Sequence, residues 1–319
     1  MGGPPARGAQ LAGPIAVLVG PTGSGKTELS LALARRLPLE ILVADSRQVY
    51  RGMDIGTAKP DARSRAEVPH HLLDLVAPGE RFTVADWAIQ ARRLVPEIAA
   101  RGHVPLLVGG GGLYVTALVD GYAFGSAADV GERERLTADL AAVGVVELAE
   151  RLAQVDPSAA SRTDLRNPRR VTRALERSAL SGGGATPPPV ARPWPGRVTM
   201  IGLGRPRAEL NRRIDARAAS LFADGLAAEV RTLLDAGHDP HRPPLTGHGY
   251  GEAARYLTGE WSLEEAVSVT ARRTRQYAKR QSTWFGRDPR IVWLAAGDRP
   301  GDDPALVDEA ERLLRPLAG

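Results

Sequence analysis

A glycine-rich stretch near the start of the chain, VLVGPTGSGKTELS (residues 17–30), carries the residues with the clearest chemistry. The G-x-x-x-x-G-K-[ST] spacing of a P-loop is met by Gly20, Gly25, Lys26 and Thr27. Backbone N–H groups of such a loop point inward, the helix that follows adds positive potential at its N-terminus, and the lysine adds a cation. The loop therefore predicts a ligand with linked phosphates. That ligand is either a nucleoside triphosphate, as in the ATP-binding proteins that commonly carry the motif, or another diphosphate whose departure is the reaction.

An aspartate follows the second apolar stretch of the chain, in ADSRQVYRGMDIGTAKP (residues 44–60). Because ligands of parallel sheets bind at the carboxyl ends of the strands, Asp45 is expected beside the P-loop. In an NTPase an acid at this place holds Mg²⁺, whereas in another transferase it serves as general base to an incoming nucleophile. A turn aspartate that caps the next element is the alternative for Asp45 taken alone. We also predict that Thr57 and Lys59 reach the same ligand, and that Ser46–Gln48 hydrogen-bond a polar substrate.

A run of four glycines ends a later apolar stretch, at Gly109–Gly112. Glycine at such a place lets a ligand approach the backbone closely, and a tight strand-to-helix turn is an equally good interpretation. Two arginines four residues apart on a predicted helix, Arg213 and Arg217, are candidates for contact with a diphosphate. Arg213 is equally able to form a surface ion pair.

Two basic clusters fall at roughly helical spacing: Arg166, Arg170, Arg173 and Arg177, and then Arg272, Arg275, Lys279 and Arg280. Most basic helix faces are merely solvated. Two separate clusters nevertheless favour contacts with a phosphate backbone. Tyr277, Trp284 and Phe285 are candidates for stacking on bases, with core packing the favoured interpretation for Trp284.

Apolar stretches alternate with helical periodicity over most of the chain. Strands are predicted at residues 14–20, 40–46, 70–76, 103–110, 197–204 and 290–294, and helices at 25–36, 82–102, from 113, 207–223, 226–236 and 263–285. The helix at 82–102 is expected to begin with a capping box of Thr83 and Asp86 and to end before Gly102. This alternation predicts an α/β fold, a P-loop NTPase-like doubly wound parallel sheet.

A segment in the middle of the chain departs from that alternation. From about residue 130 to 180 we find only helical periodicity, with turns near Gly144 and at Asp156–Pro157, followed by a breaker-rich linker at residues 181–196. We therefore predict a disordered tail at residues 1–13 and a P-loop core with C-terminal helices at 14–122 and 197–319. Residues 123–196 are predicted to form a helical insertion domain and its linker.

The composition of the 319 residues is that of an ordinary globular protein, with 43% hydrophobic and 25% charged residues. The absence of cysteine excludes disulfides and Cys-ligated zinc, no apolar run is long enough to span a bilayer, and we predict a cytoplasmic protein. A net charge of +5 suits a polyanionic partner. Only Lys26, Lys59 and Lys279 of the 42 basic residues are lysine, which makes each a candidate functional residue, because arginine does not replace a compact ammonium group everywhere.

In these residues the chain resembles the tRNA dimethylallyltransferase family, the P-loop prenyltransferases of bacterial tRNA. The matching stretches run in order from residue 20 to 285 and are GPTGSGKT, DSRQVYRGMDIGTAKP, PHHLLDLV, VGGGGLY, NPRRVTRALE, RIDAR, GLAAEVRTLL, GYGEAARYLTGE and TRQYAKRQSTWF. The resemblance implies transfer of a dimethylallyl group from dimethylallyl diphosphate to N6 of the adenosine just 3′ of the anticodon, in tRNAs that read codons beginning with U. It implies no membrane and no protein partner.

The resemblance also assigns residues. The diphosphate or nucleotide would be held by Gly20, Pro21, Thr22, Gly23, Ser24, Gly25, Lys26 and Thr27, with Thr27 near the implied cofactor Mg²⁺. Asp45 would be the general base, while Lys26 and Arg217 would neutralise the leaving pyrophosphate. The anticodon stem-loop of tRNA would be contacted by Asp45, Ser46, Arg47, Gln48, Gly111, Arg133, Arg169, Arg170, Arg173, Gly249 and Tyr250. The chain departs from the family pattern at Gly111, usually a hydroxyl residue, and at Gly251, commonly a basic or polar one.

Three other functions remain open. A kinase that uses ATP at the same loop would leave the basic insertion unused. A non-catalytic RNA-binding protein with a degenerate P-loop would leave Lys26, Asp45 and Arg217 without a purpose. An enzyme that prenylates free adenosine nucleotides is expected to be shorter and to lack the insertion.

Overall fold

The computed structural model describes residues 13–122, 130–180 and 191–318. Its sheet has six strands in the order β3-β2-β4-β1-β5-β6, and every neighbouring pair is parallel. The strands are β1 (Ile15–Val19), β2 (Leu39–Val43), β3 (His70–His71), β4 (Val104–Gly109), β5 (Val198–Gly204) and β6 (Ile291–Ala295). The predicted α/β fold with a parallel sheet is confirmed.

Helices connect and cover these strands. They are α1 (Lys26–Ala34), α2 (Ala62–Glu67), α3 (Val84–Ala100), α4 (Gly112–Val119), α5 (Val130–Val155), α6 (Pro157–Ser161), α7 (Pro168–Leu180), α8 (Arg207–Ala223), α9 (Leu226–Asp235), α10 (Tyr250–Leu257), α11 (Leu263–Phe285) and α12 (Pro304–Leu314). A short 3₁₀ turn follows at Arg315–Leu317. None of the helices described is both long and apolar enough to cross a bilayer.

The sheet is covered on both faces. Alternate residues of a strand point to opposite faces, and all five residues of β1 are buried. On one face a core cluster joins the sheet to α1 and α12, and includes Leu18, Ile41, Leu106, Leu29, Leu33 and Leu306. Burial on both faces explains why β1 is a continuous apolar run rather than an alternating one.

Helix α3 is fixed to the end of β2 by a buried tryptophan. The indole Nε1 of Trp87 donates to the carbonyl of Val43 at 3.0 Å, and the ring packs edge-on against Tyr114 of α4 with centroids 5.0 Å apart. The predicted capping box of Thr83 and Asp86 begins α3.

The third strand is shorter than predicted. It covers two residues instead of the predicted stretch at 70–76, because Leu72 and Asp74 adopt positive φ angles of 67° and 54° that no strand accommodates. Three helices, α2, α10 and α12, have no counterpart among the predicted elements.

The chain divides into two compact units, Met1–Gly121 with Pro193–Gly319, and Tyr122–Arg192. The second unit contains α5, α6 and α7, and its small apolar core includes Leu136, Leu148, Leu152, Val171 and Leu175. The backbone of α5 is kinked at Gly144, which has a φ angle of 80°. The predicted tail at residues 1–13 lies outside the described residues except for residue 13. Residues 181–190 of the predicted linker lie outside them as well.

Candidate active site

The candidate site lies in the first unit, at the edge of the sheet where β1, β2 and β4 end. The last residue of β1 pairs in register with Gly109, and the last residue of β2 pairs with Val108. A cavity of about 460 Å³, which we call the first cavity, is lined there by P-loop residues together with Asp45, Gly109 and Arg217. The predicted convergence of the P-loop, the aspartate and the glycine run is thereby confirmed.

Two arginines outside the P-loop bind its backbone carbonyls. Nε of Arg205 donates to the carbonyl of Ser24 at 2.7 Å, and Nε of Arg213 donates to that of Gly23 at 3.0 Å. A peptide group is planar and trans, so its N–H points away from its C=O. Holding a carbonyl therefore fixes the direction of the adjoining N–H as well. The two bonds orient two peptide groups of the loop, a role that sequence reasoning missed for Arg205.

A glutamine of α11 joins the P-loop to the glycine run. Gln281 is buried, its Oε1 accepts from the N–H of Thr22 at 2.8 Å, and its Nε2 donates to the carbonyl of Gly110 at 2.9 Å. An added Cβ at Gly110 would lie 2.0 Å from Gln281 Nε2, and one at Gly109 would lie 2.2 Å from the carbonyl oxygen of Ala44. Gly109 and Gly110 thus allow other protein groups to pack closely against the backbone, which supports the interpretation as a tight turn. Both glycines also line the first cavity.

The P-loop lysine is held in place by the loop itself. Nζ of Lys26 donates to the carbonyl of Pro21 at 2.8 Å. Burial and the positive charge of Arg217 lower the pKa of Lys26 to about 8, against the opposing effect of Asp45 and Glu28. A bound anion would favour the charged form of this ammonium group.

Asp45 is held in a turn by only one of its two carboxylate oxygens. Its Oδ1 accepts from the backbone N–H groups of Arg47 at 2.8 Å and of Gln48 at 3.4 Å, which makes it a turn residue. Its other oxygen accepts no hydrogen bond within the described part of the chain, and the carboxylate lines the first cavity. One oxygen therefore fixes the side chain while the other is available to take a proton.

Arg217 of α8 and Thr27 of α1 line the same cavity. Burial lowers the pKa of Arg217, and the carboxylates of Asp45 and Glu28 oppose this. Its guanidinium stays charged at neutral pH, because an arginine loses its proton only in strong alkali. Thr27 is exposed and lines the cavity, and the hydroxyl of a P-loop Ser or Thr is an oxygen ligand that Mg²⁺ accepts. No group of three or more His, Cys, Asp or Glu residues in the described ranges could hold a metal by itself.

The loop after Asp45 is fixed by a buried lysine that does not face the cavity. Nζ of Lys59 donates to the carbonyl of Tyr50 at 2.8 Å and to the carboxylates of Asp54 and Asp74, both at 2.6 Å. The prediction that Lys59 reaches the ligand is therefore wrong, because its three N–H donors are used by Tyr50, Asp54 and Asp74. Thr57 lines the first cavity, and its contact with the ligand stays a prediction.

A glutamate of α9 fixes the next turn and the start of α10. The carboxylate of Glu229 accepts from the backbone N–H groups of Asp54 at 2.9 Å and Ile55 at 2.7 Å, and from the hydroxyl of Tyr250 at 2.6 Å. Tyr250 is fully buried, so its prediction as an RNA contact is corrected to a structural role. Gly249 precedes α10 and donates its N–H to Glu252 at 2.7 Å.

The burial of the aromatic residues of α11 differs from the prediction. Trp284 is 50% exposed and lies against the α-carbon of Gly112, whereas Phe285 is buried. Core packing was predicted for Trp284, but Phe285 is the residue that packs in the core. Tyr277 lines the first cavity, and burial and the nearby Asp45 carboxylate raise its pKa.

The predicted RNA-binding arginines of the second unit fall into two groups. Arg133 and Arg173 both donate to the buried carboxylate of Glu176, and together they lower its pKa although burial raises it. Arg169 and Arg170 are exposed, and the contact of Arg170 with Asp164 is 3.8 Å long. The exposed pair is the more available for an external anion.

The chain is similar to known proteins of one family over nearly its whole length. Residues 48–288 match the family model described as IPP transferase, and residues 13–69 match the model described as isopentenyl transferase. The chain is 45% identical to a tRNA dimethylallyltransferase of Salinispora tropica, covering 98% of this chain and 97% of the relative. It is also 45% identical to a tRNA dimethylallyltransferase of Anaeromyxobacter dehalogenans, covering 93% and 99%. A solved structure of a tRNA isopentenylpyrophosphate transferase from Bacillus halodurans is 39% identical, with a TM-score of 0.71 and coverage of 96% and 97%.

Proposed function

This chain belongs to the IPP transferase family, and we propose that it transfers a dimethylallyl group from dimethylallyl diphosphate to a tRNA adenosine. The acceptor atom is N6 of the adenosine 3′-adjacent to the anticodon, in tRNAs that read codons beginning with U. The observation that carries the proposal is the first cavity, in which a P-loop, a carboxylate with one free oxygen and a half-buried arginine come together. The relatives in Salinispora tropica and Anaeromyxobacter dehalogenans, which this chain matches over 97% and 99% of their length, are named tRNA dimethylallyltransferases.

The reaction is a substitution at carbon. The bond from N6 to C1 of the allyl group forms, the bond from C1 to the diphosphate oxygen breaks, and diphosphate leaves. The N6 proton passes to the free oxygen of Asp45, which is held at the cavity wall by its other oxygen. Lys26, Arg217 and the P-loop N–H groups stabilise the negative charge that develops on the departing diphosphate.

We propose that Mg²⁺ accompanies the diphosphate, and that the hydroxyl of Thr27 would help to hold it. When bound, the ion would add to the neutralisation of the leaving group. Alignment contributes the rest, since holding reactants in line lowers a barrier by up to roughly 7–11 kcal/mol. The adenine must leave its stack, which costs a few kcal/mol and least in a loop.

The direct test supplies labelled dimethylallyl diphosphate together with tRNA, free AMP and ATP. We expect label in tRNA alone, at an adenosine next to the anticodon. Label in AMP would point to the nucleotide prenyltransferases. Turnover of ATP with a small acceptor would point to a kinase, and either result would overturn the proposal.

The pKa of Lys26 gives a prediction for the pH profile. Because Lys26 has a pKa of about 8 in the free protein, its proton is lost as the pH rises above that value, and the charge that attracts diphosphate is lost with it. We expect kcat/KM for dimethylallyl diphosphate to fall above about pH 8, with a log slope approaching about −1 per pH unit. The Lys26→Arg variant keeps its charge and is expected to be slower but to lose this alkaline fall. The same alkaline fall in both proteins would assign the titration to another group.

Salt dependence tests the two exposed arginines of the second unit. Replacing Arg169 and Arg170 by Ala removes up to two phosphate contacts, so we expect the slope of log K for tRNA binding against log [salt] to become shallower by about 1–2. A charge-matched control replaces Arg231 and Arg312, which are exposed on α9 and α12, and is expected to leave the slope as it is. Equal slopes for the two double variants would show that Arg169 and Arg170 are merely solvated and make no contact with the tRNA phosphates.

A further inference from the structure

Gln281 of α11 contacts the P-loop at the same peptide group that holds the P-loop lysine. The N–H of Thr22 donates to Oε1 of Gln281 at 2.8 Å, and the carbonyl of Pro21 accepts from Nζ of Lys26 at 2.8 Å. This N–H and this carbonyl both belong to the peptide group between Pro21 and Thr22. Because a trans peptide is planar, its N–H and its C=O point in opposite directions. The glutamine and the lysine therefore hold one rigid unit from its two sides.

The side-chain amide of Gln281 has only one orientation in this place. Its Nε2 donates to the carbonyl of Gly110 at 2.9 Å while its Oε1 accepts from the N–H of Thr22. Flipping the amide would place donor against donor and acceptor against acceptor. An added Cβ at Gly110 would lie 2.0 Å from Nε2, so the amide also fills the space beside that glycine. The oxygen that meets the P-loop is therefore fixed by a second backbone contact.

Helix α11 is anchored on both sides of this glutamine. Ala278, about one turn earlier, belongs to a buried cluster with Leu210 and Ile214 of α8. Phe285, about one turn later, is buried, and Gln281 itself is buried as well. The contact with the P-loop is thus made by a packed helix, and not by a side chain that moves freely at the surface.

The fixed peptide group directs the ammonium group of Lys26. A lysine carries its three N–H donors at the end of a flexible stem, so its charge alone does not determine where it lies. The bond to the Pro21 carbonyl uses one donor and leaves the others for phosphate oxygens in the first cavity, which Lys26 lines. Hydrogen bonds in a chain polarise one another, so the bond to Gln281 makes the Pro21 carbonyl a stronger acceptor.

We propose that Gln281 is a positioning residue: it holds the Pro21–Thr22 peptide so that the Pro21 carbonyl places the ammonium group of Lys26 against the diphosphate. The inference rests on the proposed function and adds to it a residue that acts through Lys26. It also removes the Thr22 N–H from the loop amides that are available to the diphosphate, because that N–H already donates to α11.

The test measures the binding of inorganic diphosphate, without tRNA and at a fixed Mg²⁺ concentration, by titration of its phosphorus NMR signal. Gln281→Met keeps an unbranched side chain of similar length but removes the amide. We expect it to bind diphosphate about tenfold more weakly than the wild type, the effect of about one lost hydrogen bond. Gln276→Met changes an exposed glutamine of the same helix, and this matched control is expected to bind like the wild type.

A double-mutant cycle with Lys26→Ala separates positioning from a general effect on the fold. When residue 26 is already alanine, we expect Gln281→Met to weaken diphosphate binding by less than about twofold, because its effect passes through the lysine. A tenfold loss in both backgrounds would show that Gln281 acts by another route. That result, or unchanged binding by Gln281→Met in the wild-type background, would overturn the inference.

Gly110→Ala keeps the test decisive if Gln281→Met does not fold. Its methyl group would displace the Gln281 amide, so we expect a similar loss of diphosphate binding with Lys26 present and little loss with Lys26→Ala. Gly110→Ala protein that binds diphosphate as tightly as the wild type would also overturn the inference. If the binding results are as expected but the wild type fails to prenylate tRNA, the proposed function alone is contradicted.

Discussion

The Asp45→Asn variant is expected to transfer the dimethylallyl group about 10²–10⁴ times more slowly than the wild type, while binding diphosphate as tightly. Asparagine keeps an oxygen that accepts from the backbone N–H groups of Arg47 and Gln48, so the turn is preserved. What it removes is the free carboxylate oxygen that takes the proton. The measurement is a single-turnover rate with saturating tRNA and dimethylallyl diphosphate.

The binding measurement separates the two chemical roles open to this residue. A general base acts on the acceptor and contributes little to holding the diphosphate. If Asp45→Asn weakened diphosphate binding as much as it slowed transfer, and added Mg²⁺ reversed the loss, the carboxylate would serve the metal instead. The thermal unfolding midpoint of the variant should stay near that of the wild type, which excludes loss of the turn as the cause.

Replacing Arg217 by Gln is expected to lower kcat by about 10²–10³, equivalent to about 2.7–4 kcal/mol of transition-state stabilisation. Arg217 lines the first cavity, and its guanidinium keeps its proton at neutral pH. It therefore contributes positive charge and hydrogen bonds to the leaving diphosphate. The effect should appear mainly in kcat, because charge on the leaving oxygen grows as the carbon–oxygen bond breaks.

Arg212→Gln, on the same helix, is the matched control. The side chain of Arg212 is 72% exposed and pairs with Glu209, and it is expected to contribute little. The two variants remove the same charge from positions five residues apart. If both changed kcat equally, the effect of Arg217 would be one of net charge rather than of contact with the leaving group.

The parallel sheet, and the edge of it that carries the candidate site, were predictable from short stretches of the sequence. The strands β1, β2 and β4 are short apolar runs followed by glycine or aspartate, and parallel pairing then brings Gly20, Asp45 and Gly109 to one edge. The capping box of α3 and the helical insertion are likewise local patterns. Each depends on residues close in the sequence, which is why composition and spacing were sufficient.

The hydrogen-bond partners of individual side chains were not predictable, because they depend on how the chain packs. Lys59 lies in a stretch rich in functional residues, yet its ammonium group is used by Asp54 and Asp74. Tyr250 is buried and donates to Glu229, which also accepts from the backbone N–H of Asp54, 175 residues earlier in the sequence. A motif shows that a residue type belongs at a position, but only the packed structure shows which neighbour it contacts.

The hydrogen bond from the Thr22 N–H to Gln281 has a consequence for the order in which the chain matures on the ribosome. The P-loop is among the first segments to be synthesised, but the group that fixes one end of it is residue 281 of 319. We expect a nascent chain that has not yet released α11 to hold diphosphate weakly. Binding of diphosphate by the P-loop is then expected only late in the synthesis of the chain.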